Sequence, residues 1–386
     1  MHEAVIVDVI RTPSGRGKPG GQLSGTHSVD LLAGVLDALV KRSGLDPALI
    51  DDVIAGCVSQ IGEQGYNVAR NALLAAGFPE HVPGTTVDRQ CGSSQQAAMF
   101  AAQGVMTGQY DIAIACGVES MSRIPLGTSA AGMDRYGSKL RARYPEGLVN
   151  QGVSAELIAH KWELDRTTLD EFSARSHRLA VEAREAFATE IVETNGRTVD
   201  ETVRDSTTVE GLAGLNPAFR TDELAARFPE INWSVTPGNS SPFTDGASAA
   251  LIMSAERAKS LGLTPRARFH AFSVTGSDPL FMLTGVIPAT KKVLERAGLS
   301  IDDLDAYEVN EAFASVPLAW QKELGTDPDK LNPRGGAIAL GHPLGASGTR
   351  LLTTLVNQLE ATGGRWGLQT MCEGGGMANA TIIERL

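Results

Sequence analysis

The sequence predicts a layered α/β protein made of two similar halves, with a mostly helical loop domain inserted in the first. Three observations carry that prediction. Strand-like apolar runs alternate with helical patterns over residues 1–118 and again over 266–386. The order of elements in the last third repeats that of the first, as an internal duplication would. Between them, over residues 119–242, the strand patterns stop and helical and loop-like stretches take over. The expected units are therefore 1–118 completed by 243–265, the insertion 119–242, and 266–386. At 386 residues the chain exceeds what one ordinary core supports, which fits several units.

The elements follow in order. Residues 4–10 (AVIVDVI) read as a buried strand, followed by Arg11-Thr12-Pro13 and a turn rich in glycine at 15, 17, 20 and 21. Val29 to Arg42 has helical periodicity, Asp52 to Val58 is a strand, and Asn67 to Ala76 is a short helix ending at Gly77. Thr85 to Asp88 end a strand, Gln90-Cys91-Gly92-Ser93-Ser94 forms a small-residue turn, and Gln95 to Met106 continue as an Ala-rich helix. Asp111 to Gly117 is an almost wholly apolar strand. In the insertion, Ser154 to Trp162 and Thr168 to Ala188 read as amphipathic helices, and strand returns at Asp245 to Met253. The duplicated half shows Asp302 to Asn310 against Asp51 to Val58. A Gly-rich turn and helix over Gly335 to Leu359 stand against the Cys91 turn and helix, and Gly367 to Gly375 against the strand ending at Gly117.

Composition narrows the function classes. Apolar residues make up 42% and charged residues 20%, as in ordinary globular proteins, and the net charge of −11 argues against general nucleic-acid binding. A local basic cluster could still hold a polyanionic small ligand. Cys57, Cys91, Cys116 and Cys372 are scattered, with no CxxC and no His at ligand spacing, so neither a metal site nor a disulfide framework is expected. Reduced thiols, no targeting pattern ahead of the first strand and no apolar run of membrane-spanning length point to a cytoplasmic protein without membrane insertion.

Cys91 sits where a strand feeds a helix, a position that favours an anion and lowers a thiol's pKa. That stretch alone fits a buried structural thiol equally well. Three late motifs shift the balance: Asn310-Glu311-Ala312-Phe313 at a strand end, Gly341-His342-Pro343-Leu344-Gly345-Ala346-Ser347-Gly348 before a helix, and Cys372-Glu373-Gly374-Gly375-Gly376. All occupy the ends of strands or starts of helices where α/β proteins place ligands. His342, held by the surrounding Gly and Pro residues, would pair with Cys91 as base to thiol. Asn310 reads as a turn residue or as a group orienting a water or the imidazole. The glycines after Glu373 could supply N–H groups for an oxyanion.

These motifs together resemble the thiolase family of acyl-CoA acyltransferases: DRQCGSSQQA around Cys91, NEAFA from Asn310, GGAIALGHPLGASG from Gly335 and CEGGG from Cys372. Arg11-Thr12-Pro13, the GVESMS run from Gly117, and GNSS from Gly238 with Asp245-Gly246-Ala247 extend the resemblance from residue 4 to 385. It implies the thiolase fold, a layered αβαβα core plus a helical loop domain, and assembly as a homodimer or homotetramer. It also implies coenzyme A as co-substrate, with no tightly bound cofactor and no metal, and acyl-CoA thioesters as substrates.

Carried over residue by residue, the resemblance makes Cys91 the nucleophile, His342 its base, Cys372 the second acid/base, and Asn310 and Gly374 oxyanion donors. For CoA it implies Arg204 beside the nucleotide, Leu215 and Phe219 in the run from Thr208, and Ser241, Ala312 and Phe313 along pantetheine. Arg135, Lys139, Arg141 and Arg143 read as a solvated loop face. The chain departs from the common pattern at Asn150-Gln151-Gly152, where many members carry His-Met-Gly, at Pro237, and in the segment 220–235. With CEGGG, these departures look more like the degradative branch of fatty-acid or sterol breakdown than the biosynthetic condensation of two acetyl-CoA. A ketoacyl synthase would carry a second His instead of the Cys372 motif, and a non-catalytic carrier would have lost a catalytic residue; neither holds here.

Overall fold

The computed structural model describes residues 2–386. Strand β1 (Ala4–Arg11) is buried at every position; β2 (Gly15–Arg16) is a short ribbon against a later strand. Then come α1 (Ser28–Ser43), β3 (Asp52–Gly56), α2 (Val68–Ala75), β4 (Gly84–Val87), α3 (Ser93–Thr107) and β5 (Ile112–Ser120). The insertion carries α4 (Gly137–Arg143), α5 (Gln151–Lys161), α6 (Arg166–Glu182), α7 (Val209–Ala213) and α8 (Asp222–Arg227). Strand β6 (Thr244–Ser254) and α9 (Ala255–Ser260) follow. The second half is β7 (Ala267–Gly276), α10 (Val286–Ala297), β8 (Ala306–Val309), α11 (Ser315–Leu324), α12 (Ala337–Leu340), α13 (Ser347–Thr362), β9 (Trp366–Glu373) and β10 (Met377–Arg385).

Pairing makes the duplication explicit. The first half runs β4-β3-β5-β6-β1, with β3 parallel to both β4 and β5, and β6 antiparallel to β5 and β1. The second runs β8-β9-β10-β7, with β8 parallel to β9, and β10 antiparallel to β9 and β7. A parallel bridge between Tyr307 and Leu331 stands where β4 stands in the first half. The halves join edge to edge through two antiparallel pairs, Val5 with Arg268 and Ile6 with Ala267. Parallel strands need crossovers, which the helices supply.

Layering follows from burial. One core packs α1 and α2 against the outer face of the first half, and another gathers α10 and α11 on the second. Between the halves, Ala97, Ala98, Ala101 and Ala102 of α3 meet Leu352, Leu355, Val356 and Leu359 of α13 together with strand residues of both halves. Small side chains on α3 let two helices fit one layer. At their starts the approach is closest: a Cβ on Gly348 would lie 2.0 Å from the Gln95 backbone N, so only glycine fits. This arrangement is the expected αβαβα order, and it places the N-termini of α3 and α13 side by side.

A buried ion network fastens the insertion to both halves. Arg11 of β1 donates to Asp200 (2.8 and 3.0 Å) and Glu190 (3.1 Å), and its guanidinium lies 4.9 Å from the Phe187 ring centre. Arg334 of the second half shares Glu190 at 3.2 Å. The helical pattern from Thr168 predicts a helix as far as Ala188; α6 instead ends at Glu182, and a short turn over Ala186–Thr189 buries Phe187 for this contact. The helix expected from Ser154 starts three residues earlier, because Asn150 caps it by accepting from the Val153 N–H at 3.1 Å.

Candidate active site

The site is built where β4, β8 and β9 end and α3 and α13 begin. The turn leading into α3 is tightly held. Asp88 accepts from the Gln90 N–H (2.7 Å), and Ser93 Oγ accepts from the Arg89 N–H (2.9 Å) and donates to Gln90 O (2.5 Å). Gln90 adopts φ +48°, a left-handed conformation costing about 1–2 kcal/mol for an L-residue. The strained turn delivers Cys91 into a buried cluster with Met121, Leu344, Leu351 and Met371, drawn from both halves.

Around it the predicted residues converge. Asn310 extends β8, its N–H on Thr370 O of β9 at 3.1 Å. Its Nδ2 faces His342 Nε2 at 3.3 Å. His342 Nδ1 lies 2.6 Å from Ser347 Oγ, and that hydroxyl donates to Pro343 O at 2.9 Å. An amide nitrogen only donates, and the Ser347 hydroxyl is already committed as donor. The consistent assignment therefore protonates Nδ1 and leaves a lone pair on Nε2. Cys372 lies buried near the end of β9, and the Asn310 side chain partly offsets the rise in its pKa. Gly374 sits where any Cβ would meet Gln90 Oε1 (3.0 Å) and Gln151 Nε2 (3.4 Å), so both glutamines border it.

The electrostatics correct one expectation. Cys91 was expected to be acidified by the helix N-terminus; instead burial, with Cys372 and Glu373 nearby, pushes its pKa well above the ordinary thiol value. Burial outweighs the helix field here, because a lone anion loses more hydration than about half a unit charge returns. Burial, then Glu373, takes Cys372 up to about 12. Burial, helped by the Arg350 charge, takes His342 down to about 3. At neutral pH all three are uncharged, two thiols and a free base. Neither thiol ionises without a proton acceptor.

Glu119, at the end of β5, is a supporting residue the motif reading quoted without a role. Its buried carboxylate accepts from Val58 N (3.0 Å) and Gly345 N (2.9 Å) through Oε2, and from Ser59 N (3.0 Å) and Gln64 Nε2 (3.1 Å) through Oε1. It thereby ties the loop after β3 to the His342 loop of the other half. Glu311 ties the second half to α6 of the insertion, accepting from Ser176 Oγ (2.7 Å), Asn332 Nδ2 (2.9 Å) and Ile338 N (3.1 Å). Glu119→Ala strands three backbone donors, each costing about 1–3 kcal/mol when unmet. We expect a loss of at least about 3 kcal/mol, read as a lower urea midpoint at fixed protein concentration. An unchanged midpoint would show that water replaces the carboxylate at no cost.

Most of the candidate CoA residues also meet. The Phe219 and Phe313 rings stand edge to face at 6.0 Å, Ser241 N donates to Ala312 O (3.0 Å), and Leu215 covers Gly238. Phe219 also packs on Gly152, the third residue of the departure noted above. Arg204 is exposed on the insertion, its backbone N–H donated to His177 Nδ1 at 3.2 Å. Burial, then the Arg204 charge, lowers His177 to about 4. Between that value and about 6.5 the unfolded chain binds the extra proton, so His177 stability is present above 6.5 and lost on acidification. In His177→Gln the fall in stability from pH 6.5 to 4 should be shallower by up to about 1.4 kcal/mol per pH unit, measured by urea titration at several pH values. Parallel curves would refute this.

Among the described residues no cluster of three or more His, Cys, Asp or Glu could hold a metal, and no helix is long and apolar enough to cross a membrane. The residues the sequence reading missed are Ser347, five positions beyond His342 inside the quoted motif, and the buried carboxylates of Glu119 and Glu373. An acidic residue amid apolar and glycine neighbours at a strand end was the available signal for both carboxylates.

Comparison with known proteins agrees with this geometry. The family profile described as "Thiolase, N-terminal domain" matches residues 4–256, and "Thiolase, C-terminal domain" matches 263–385. The chain is 48% identical to the steroid 3-ketoacyl-CoA thiolase FadA6 of Mycobacterium tuberculosis, over all of this chain and 95% of that protein. It is 45% identical to a 3-ketoacyl-CoA thiolase of Yersinia pestis, over the full length of both. The crystal structure of the Bacillus anthracis acetyl-CoA acetyltransferase superimposes with a TM-score of 0.87 at 37% identity, covering 100% of this chain and 99% of that one. With both profiles matched in sequence order and full-length relatives on either side of the residue pattern described above, this chain belongs to the thiolase family and has its fold.

Proposed function

We propose that the protein is a degradative 3-ketoacyl-CoA thiolase, an acyltransferase that cleaves 3-ketoacyl-CoA with CoA to acetyl-CoA (or propionyl-CoA) and a shortened acyl-CoA. The observation that supports this is that two buried, neutral thiols and a neutral imidazole are drawn together from two halves: Cys372 is a charge neighbour of Cys91, Leu344 of the His342 loop packs with Cys91, and Asn310 Nδ2 meets His342 Nε2 at 3.3 Å. His342 Nε2 takes the Cys91 proton, and the thiolate attacks the 3-keto carbon. The C2–C3 bond breaks, and Cys372 protonates C2 of the departing enolate. The proton on His342 then returns to Cys372. CoA gives its thiol proton to His342 and attacks the acyl-Cys91 carbonyl; Cys91 leaves and recovers that proton. The Cys91 and Gly374 N–H groups serve the tetrahedral oxyanion, while His342 and a water on Asn310 serve the enolate oxygen.

We assign CoA to Leu215, Phe219, Ser241, Ala312 and Phe313, with Arg204 towards the nucleotide phosphates. The clustering of the first five supports this, and Arg204 rests on the family pattern. The unit boundaries 1–118 with 243–265, 119–242 and 266–386, a homodimeric or homotetrameric assembly and a cytoplasmic location belong to the same reading. The names of the relatives, 3-ketoacyl-CoA thiolases and one steroid 3-ketoacyl-CoA thiolase among them, favour degradation. The test is CoA-dependent cleavage of a series from acetoacetyl-CoA through long-chain to steroid-derived 3-ketoacyl-CoA, with acyl-Cys91 trapped by mass spectrometry. Preference for the longer or bulkier members supports the reading. Activity confined to acetoacetyl-CoA would move the protein to the biosynthetic branch.

A further inference from the structure

Behind Cys91 lies a carboxyl group that the steps above do not use. Glu373, the last residue of β9, is fully buried, and both its oxygens lack a hydrogen-bond partner. A Cβ on Gly92 would lie 2.1 Å from Glu373 Oε1 and 2.9 Å from Asn379 Nδ2. The carboxyl therefore rests on the residue between Cys91 and the first turn of α3, and Gly92 must be glycine to admit it. Asn379 Nδ2 is committed to Gly92 O at 3.1 Å, leaving its own Oδ1 unpartnered, as are Gln96 Oε1 and Arg89 Nε. Glu373 is also the covalent neighbour of Cys372. One side chain thus touches the peptide of the nucleophile and follows the second thiol directly.

We propose that Glu373 is a positioning residue that sets the acidity of both site thiols through its own protonation: neutral it leaves them ionisable, charged it suppresses their thiolates. The idea rests on the roles proposed for Cys91 and Cys372. A carboxylate without donors is costly in such a place, so the neutral acid is the resting form. Burial raises the group to about 8, against the nearby Arg89 charge and with that of Asp88. The charged and titratable groups facing it are Asp88 and Arg89 from the segment after β4, Cys91 at the start of α3, and Cys372 on its own strand; β10 contributes only the neutral Asn379. The N-terminus of α3, capped by no side chain, favours one anion. A Glu373 carboxylate and a Cys91 thiolate would compete for it. The proton lost by Glu373 goes to bulk water past exposed Gly375.

The experiment is the rate of Cys91 alkylation by iodoacetamide in the full-length enzyme, resolved by peptide mass spectrometry from pH 6.5 to 9.5. It needs no turnover, so it stands apart from the identity of the acyl substrate. For Glu373→Gln the rate relative to wild type should be near one at pH 6.5 and rise about threefold or more at pH 9.5. A ratio that differs from one but does not change with pH would mark a purely structural role and overturn the proposal. Wild type alone gives an independent check should the variant not fold. Its log rate should flatten as Glu373 ionises, where a single-proton curve would contradict the coupling.

Discussion

Cys91→Ala should lower kcat for thiolysis by roughly 10,000- to 1,000,000-fold, the range seen when a covalent nucleophile is deleted. The pocket makes this steep. The other candidate nucleophiles are already engaged: Cys372 is the proposed proton donor to C2, and Ser347 is committed to His342 and Pro343 O. The substitution removes one sulfur from a buried cluster with Met121, Leu344, Leu351 and Met371, and it leaves the Cys91 backbone N–H in place. Fold and CoA affinity should therefore persist. The check is threefold: steady-state thiolysis, mass spectrometry for a trapped acyl group, and CoA binding by calorimetry. Turnover within tenfold of wild type would sink the assignment of the nucleophile. Loss of CoA binding along with turnover would mean that the turn itself had collapsed, contrary to the hydrogen bonds of Asp88 and Ser93 that hold it without the sulfur.

Much of this was legible in the sequence, for identifiable physical reasons. Buried parallel strands such as Asp52–Gly56 and Ile112–Ser120 are near-continuous apolar runs bounded by glycine and acidic residues, so they read without a structure. The Cys91, Asn310, His342 and Cys372 motifs read because glycine and proline around them leave few backbone paths. β7 did not read: ARFHAFSVTG alternates buried with partly exposed positions, and Arg268 and His270 break its apolar signal. The first turn of α10 holds Pro288, which hides a helix that tolerates it there. Acidity was the larger miss. A helix start predicts a stabilised thiolate, and only the packing of Cys372, Glu373 and the pocket walls around Cys91 reverses the sign. Likewise no spacing rule announces that Glu119 and Gly345, 226 positions apart, share a hydrogen bond. Long-range contacts between halves are set by the layer geometry, not by local pattern.

That reversal makes His342→Ala the second large prediction. A thiol this resistant to ionisation cannot supply its own thiolate near pH 7, so the base carries the whole burden. Acylation should fall about 10,000-fold, the upper end for a lost general base. The pH profile then separates this from mere disruption. In wild type, His342 titrates near 3, so acylation should be flat from pH 5 to the point where Glu373 begins to ionise. In the variant, thiolate must come from direct ionisation of Cys91, and the rate should climb about tenfold per pH unit from pH 5 up to the point where Glu373 begins to ionise. The 3.3 Å contact between Asn310 Nδ2 and Nε2 is long enough to yield when substrate brings the Cys91 proton into line. Ser347→Ala tests the other end of the ring. Losing the 2.6 Å partner of Nδ1 frees the tautomer, and acylation should drop about tenfold with the flat profile retained. Single-turnover acylation followed by quenched mass spectrometry reads all three proteins. Should His342→Ala keep the flat profile of wild type, some other group is taking the proton, and the pairing of Nε2 with Cys91 is wrong.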